Sequence, residues 1–194
     1  MSSRGECVDD LIYPICFNMR HSIELRLKGA IEELIKISKI KGGNLEFDLA
    51  GSHDIGNIWK FFVCESNCLD RRFEDVNATL QQTIIDIAGV DATGQTFRCP
   101  IGRESKKHLM DVGGLINCRL LYRKFYELEK NLETLHWFTG YLIREYQQGT
   151  FTRNLSRANI FQIAKQLPPR LEWSNGKFGD VKSRVKCKYG IGST

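Results

Sequence analysis

The sequence predicts an all-α protein, and three observations predict it. Apolar residues recur at three- and four-residue steps over long stretches. Those stretches are separated by segments rich in Gly, Pro, Asn and Asp. One short segment alone, Thr96-Phe97-Arg98-Cys99, suggests an extended piece, and there is no internal repeat or low-complexity tract.

The first helix is expected from about Leu11 to Lys41, with Ile12, Cys16, Met19, Ile23, Leu27, Ala30 and Leu34 as its apolar stripe and Gly42-Gly43 as its stop. A loop through Asn44 to Gly51 follows. Ser52 is a candidate cap for a shorter helix carrying Ile55, Ile58, Trp59 and Phe62. A third helix is expected from about Leu69 to Ile87, with Leu69, Phe73, Val76, Leu80, Ile84 and Ile87 on one face. Turn formers from Gly89 to Gly102 break the period, and Ile101 to Asp111 reads as a polar loop. The longest helix is expected from Val112 or Leu115 to Gln147, with apolar positions that include Tyr122, Phe125, Leu132, Leu135, Leu142 and Tyr146. Gly149 marks a boundary. Beyond it, Ser156 can cap a helix bearing Ile160, Ile163, Ala164 and Leu167, ended by Pro168-Pro169, and a last helix carries Phe178, Val181 and Val185 up to Gly190. The expected partition is a bundle of about four main helices over 1–149 and a basic helical segment over 150–194. The abrupt end at Gly190-Ile191-Gly192-Ser193-Thr194 leaves a truncated C-terminus open.

At 194 residues with 42% hydrophobic content, the chain is long enough to bury one sizeable core. No apolar run approaches the ~18–20 residues of a membrane span, and the N-terminus lacks the apolar stretch of a secretory signal. Seven cysteines show no C-x-x-C pair. Cys64 and Cys68, a helical turn apart, read more simply as two semi-buried thiols than as metal ligands with His53. A cytoplasmic protein without metal or cofactor is the expectation.

The net charge of +5 is unevenly placed. From Thr150 onward there are nine Lys/Arg and two acids, about +7, which leaves the preceding residues near −2. Arg153, Arg157, Lys182 and Arg184 belong to this end, interleaved with Phe151, Phe161, Trp173 and Tyr189. Cations among aromatics suit a nucleic-acid backbone plus base stacking; Phe161 and Trp173 fit equally well as the core of a small helical appendage.

The most informative cluster is Arg20, His21, Glu24 and Lys28 on the first helix. At about 100° per residue these four side chains share an arc of roughly 100° that borders the apolar stripe. Charged groups at the margin of a buried face need partners or have chemical work. Two readings follow: an Arg/His/Glu constellation facing a phosphate or nucleotide, and a buried polar network that locks the first helix to the second through His53-Asp54. His53 and Asp54 open the second helix, where unpaired N–H groups attract anions and a first-turn acid complements the dipole. His136 in Leu135-His136-Trp137 reads as a satisfied interior or interface histidine.

Arg20-His21-x-x-Glu24 followed by Lys28, then Ser52-His53-Asp54-Ile55 leading to Trp59, and Phe97-Arg98-Cys99-Pro100 together resemble bacterial HEPN-like all-helical domains. The resemblance covers roughly residues 11 to 148. It departs from the family at Cys99, where an aromatic is usual. It implies a helical bundle, commonly a homodimer, from toxin–antitoxin and phage-defence systems, many of whose members are metal-independent endoribonucleases. In such a site His exchanges protons with the 2′-hydroxyl or the leaving 5′-oxygen, and Arg neutralises the phosphorane. The family's catalytic spacing, an Arg followed four to six residues later by His, occurs at Arg103-Glu104-Ser105-Lys106-Lys107-His108. The resemblance thus implies Arg103 and His108 as the catalytic pair, with Arg20, His21 and Glu24 shaping the site. Lys28, Arg98, Lys106, Lys107 and the four basic-end residues are candidates for contacting nucleic acid. The competing expectation is a catalytically inert bundle that binds nucleic acid or a cognate protein partner, with Arg103 to His108 as an exposed basic loop.

Overall fold

The computed structural model describes residues 8–98, 117–152, 154–174 and 176–192. Within them every regular element is helical. The helices are α1 (Val8–Ile40), α2 (Ile55–Leu69), α3 (Phe73–Asp91), α4 (Gln95–Arg98), α5 (Cys118–Gln147), α6 (Arg157–Gln166) and α7 (Gly176–Tyr189), with a 3₁₀ turn at Arg170–Glu172. The chain forms two compact units, Met1–Tyr141 and Leu142–Thr194.

The first unit is built on α1. Ile23, Leu27, Ile31, Leu34 and Ile37 recur at the helical period and are fully buried. Ile55, Ile58 and Phe62 from α2, Phe73, Leu80 and Ile84 from α3, and Leu128, Leu132 and Leu135 from α5 complete the core. Each such side chain contributes about 1.5–3 kcal/mol on burial. An aromatic chain crosses this core: Phe62 meets Phe73 edge-on at 6.0 Å, and Phe73 meets Phe138 edge-on at 5.1 Å, joining α2, α3 and α5.

Helix directions follow from the polar contacts. The start of α2 lies beside Arg20, through the His53 carbonyl, whereas its end lies beside Lys41, whose Nζ donates to the Leu69 carbonyl. α2 therefore runs parallel to α1, and residues 41–54 carry the chain back along the bundle. α2 has 15 residues, which makes it about 22 Å long, well within the reach of an extended connection of this length. α3 returns antiparallel: Asn77 Nδ2 donates to Ser66 Oγ at 3.0 Å, and Trp59 Nε1 donates to Gln81 Oε1 at 2.8 Å. α5 again parallels α1. Leu121 packs near Ile12 and Cys16, Arg26 pairs with Glu129 at 3.5 Å, and Thr139 Oγ1 donates to Glu33.

Several local expectations are corrected. The cap of α2 is Asp54, which accepts the Asn57 N–H at 2.9 Å, and not Ser52. The His53 carbonyl is engaged by Arg20, which holds Ser52 and His53 in the crossing loop. Leu69 ends α2, and α3 starts at Phe73 because Asp70 turns the chain, bonding the Arg72 N–H and guanidinium. Gln95–Arg98 is a helical turn, not an extended piece: the Asp91 carboxylate accepts the Thr96 and Phe97 N–H groups at 3.1 and 3.2 Å. Cys64 and Cys68 are exposed, not semi-buried. Tyr122, placed on the apolar face of α5 by the sequence pattern, lies exposed.

The second unit comprises the end of α5, α6, the 3₁₀ turn and α7. Tyr146 meets Phe151 edge-on at 5.1 Å. Ser156 caps α6 by accepting the Asn159 N–H at 3.2 Å. Trp173 stacks on Phe178 at 4.8 Å, and Tyr189 donates to Gln162 at 3.0 Å, joining α7 to α6. Among the described residues, α6 contributes no buried side chain and α7 only Val185.

Candidate functional site

Arg20 faces inward from α1 at the point where three chain segments converge. It is 2% exposed and Glu24 3% exposed. The guanidinium donates through Nε to the Asp91 carbonyl at 3.3 Å and through one terminal nitrogen to Glu24. The other terminal nitrogen donates to the carbonyls of His53 and of Ala92, the latter at 2.5 Å. The Ala92 carbonyl also accepts the Ile55 N–H at 3.0 Å, which ties the α3–α4 turn to the start of α2. Only a planar, five-donor cation can serve three backbone carbonyls and a carboxylate at once. The side chain is a clamp on α1, the 41–54 crossing and the end of α3.

Glu24 collects the remaining charges. Its Oε1 lies 2.8 Å from Lys28 Nζ and 3.0 Å from His53 Nδ1, and His21 Nδ1 stands 3.9 Å from Oε2. Burial pushes the carboxyl pKa upward, but hydrogen bonds from Lys28, His53 and Arg20 and the Arg20 charge outweigh it and lower it to about 2. Because an ionised carboxylate only accepts, His53 donates to it through Nδ1, which leaves Nε2 on the side of the ring away from Glu24. The His53 and His21 rings are both largely exposed, and His21 stacks on Phe17 at 5.9 Å. An oriented imidazole with its second nitrogen turned from that bond is a group able to exchange protons with a ligand. The network expected to lock the first helix to the second through His53-Asp54 takes this form at His53, whose Nδ1 meets Glu24, whereas Asp54 serves as the α2 cap.

Gly94 completes the enclosure, with a φ of +81° and a position where a Cβ would lie 3.2 Å from the nearest Arg20 terminal nitrogen. Gly94→Ala is expected to cost about 1–3 kcal/mol. Gly42, at φ +78° with open space around it, is the control. Gly42→Ala carries only the backbone term of about 1–2 kcal/mol, so a larger fall in Tm for Gly94→Ala, measured by calorimetry, reads the crowding of Arg20.

Of the residues the sequence singles out, the fold brings together Arg20, His21, Glu24, Lys28 and His53. Lys28 is mostly buried and committed to Glu24. Arg98 is exposed, with its guanidinium 5.9 Å from the Phe17 ring, at the same end of α1. Arg103, Lys106, Lys107 and His108 lie outside the described residues, as does the side chain of Arg153. Arg157 bonds Gln148 and Thr150 and lies 5.1 Å over the Phe161 ring. Lys182 and Arg184 are exposed on α7. His136 is mostly exposed and pairs with Glu33 at 3.3 Å, so it is a partnered surface histidine. Among the described residues no group of three or more His, Cys, Asp or Glu side chains is placed to hold a metal ion.

These features define an all-helical protein whose most concentrated polar site is a buried arginine–glutamate clamp with two imidazoles at its rim. Comparison of the chain with protein-family models, with curated proteins and with solved structures gives no match. No helix among the described residues is long and apolar enough to cross a membrane.

Proposed function

We propose that the protein is a HEPN-like, nucleic-acid-binding component of a bacterial defence or toxin–antitoxin system. It acts in the cytoplasm as a homodimer or with a cognate protein partner, and its basic second unit engages RNA or another polyanion. Arg20 and Glu24 have a structural role in this reading. The supporting observation is a contrast in availability. The Arg20 and Glu24 side chains are buried and turned onto the protein itself. Lys165, Arg170, Lys177, Lys182, Arg184 and Lys186 are exposed in the second unit, which also leaves the rings of Phe161 and Trp173 exposed. Phosphate contacts by such cations dominate affinity and make it salt-dependent.

The test is binding of labelled RNA over a salt series. Lys182→Glu/Arg184→Glu is expected to weaken binding and to flatten the log–log salt slope by about 1.4–1.8, two phosphate contacts' worth. Unchanged affinity and slope would refute the basic-end reading.

One observation favours a second reading, a metal-independent endoribonuclease. His53 is oriented by Glu24 with Nε2 on the side of the ring away from it, and the Arg103/His108 spacing supplies a further Arg–His pair in the sequence. Under this reading purified protein cleaves RNA in EDTA to 2′,3′-cyclic phosphate ends, and His108→Ala or His53→Ala abolishes cleavage. The binding reading expects intact RNA.

A further inference from the structure

The outer face of α5 carries a row of solvent-facing aromatic rings that the core does not use. Tyr122 is 70% exposed, Tyr126 47%, Trp137 62% and Tyr141 56%. At 3.6 residues per turn all four fall within an arc of about 100°, on the side of the helix opposite the buried Leu128, Leu132 and Leu135. Four large rings left facing water have no role in the fold, and two exposed aromatic pairs aligned on one helix face mark a contact surface.

Its charge identifies the occupant. Arg119, Arg123 and Lys130 are exposed in the same arc, and Glu133 is the one acid among the side chains it shares with the rings. Tyr122 and Tyr126 are stacked, with centroids 6.3 Å apart and planes 15° from parallel, and Lys130 Nζ stands 4.8 Å from the Tyr126 centroid. We infer that this face of α5 is a stacking platform for single-stranded nucleic acid: bases lie on Tyr122, Tyr126, Trp137 and Tyr141, while Arg119, Arg123 and Lys130 meet the phosphates. Exposed rings and cations on one face are the two components of sequence-tolerant single-strand binding. A duplex keeps its bases stacked on one another and offers them no such contact. The row runs about 28 Å along the helix, room for several nucleotides. The platform lies in the first unit and does not depend on the basic end.

The experiment compares full-length protein with a fluorescein-labelled oligouridylate and with an RNA duplex of equal length, read by anisotropy. Tyr126→Ala/Trp137→Ala is expected to weaken single-strand binding by about 30-fold or more, with duplex affinity and Tm unchanged. Tyr122→Phe/Tyr126→Phe, which keeps the rings, should retain wild-type affinity and shows that any loss comes from stacking. Wild-type failure to bind the single strand, or unchanged single-strand affinity in the alanine variant, overturns the inference. So does a shift from dimer to monomer in sedimentation without a change in affinity, which would give the face to a second copy. Lys182→Glu/Arg184→Glu separates the two sites. No effect from that pair alongside a loss in the alanine variant refutes the basic-end reading and leaves the platform standing; the reverse pattern refutes the platform alone.

Discussion

Replacing Arg20 by alanine is expected to destabilise the first unit by about 3–5 kcal/mol, the cost of breaking a buried ion pair by removing one member. The loss has two sources. Glu24, buried beside Arg20, keeps Lys28 and His53 but loses the guanidinium's hydrogen bond and charge, and the carbonyls of His53, Asp91 and Ala92 lose the donor that joins them. For a domain of this size the change corresponds to a fall in Tm of about 10–20 °C. Arg20→Lys should recover only part of it, since one ammonium has three donors and lacks the fork that reaches both the carboxylate and the crossing loop. If Arg20→Ala melts within a few degrees of the wild type, the clamp is not what holds the three segments together. That outcome would return Arg20 to the list of groups available for a ligand.

Glu24 sets the acid stability of the same unit. Its carboxyl titrates near pH 2 in the folded chain, against 4.5 as the ordinary value. A depressed folded-state pKa means that the folded state resists protonation, so the contribution is complete above pH 4.5. It declines as pH falls through 4.5 and is exhausted below about 2. At 1.36 kcal/mol per pKa unit the contribution is about 3 kcal/mol. Glu24→Gln keeps the shape and removes the charge. It is expected to lower stability at neutral pH by about this amount and to show a flatter decline between pH 4.5 and 2 than the wild type. Urea unfolding at a series of pH values measures both. Equal slopes in the two proteins across that window would show that other carboxylates carry the acid sensitivity.

Much of this organisation was readable along the chain. The apolar period of Ile23, Leu27, Ile31 and Leu34 predicts a buried stripe on one helix without reference to any neighbour, because burial of one face is a property of spacing. Arg20, Glu24 and Lys28 at steps of four are likewise bound to share an edge of that helix. Ser156 caps α6 because capping is decided within a single turn. Expectations failed where a side chain outside the segment outcompetes the segment's own signal. Asp91 draws the Thr96 and Phe97 amides into a helical turn that β-forming residues alone would not predict. Engagement of the His53 carbonyl by Arg20 moves the α2 cap from Ser52 to Asp54.

The aromatic row shows the same division from the other side. Tyr122 is apolar enough to count toward a core stripe, and single-sequence pattern reading places it there. Its true side is fixed by which face of α5 meets the rest of the unit, the face that buries the leucines at 128, 132 and 135 and sets Phe138 against Phe73. Helix direction is equally invisible to the period. Nothing in residues 41–54 states that the chain doubles back so that α2 parallels α1, yet that crossing is what carries His53 to Glu24 and its carbonyl to Arg20. Composition and periodicity settle that the protein is helical, that α1 carries a buried stripe and which charges lie along its edge, since each is a short-range consequence of backbone geometry. Only the packed structure decides whether those charges are turned onto the protein or left facing water, because that depends on which segments, remote in sequence, supply the partners.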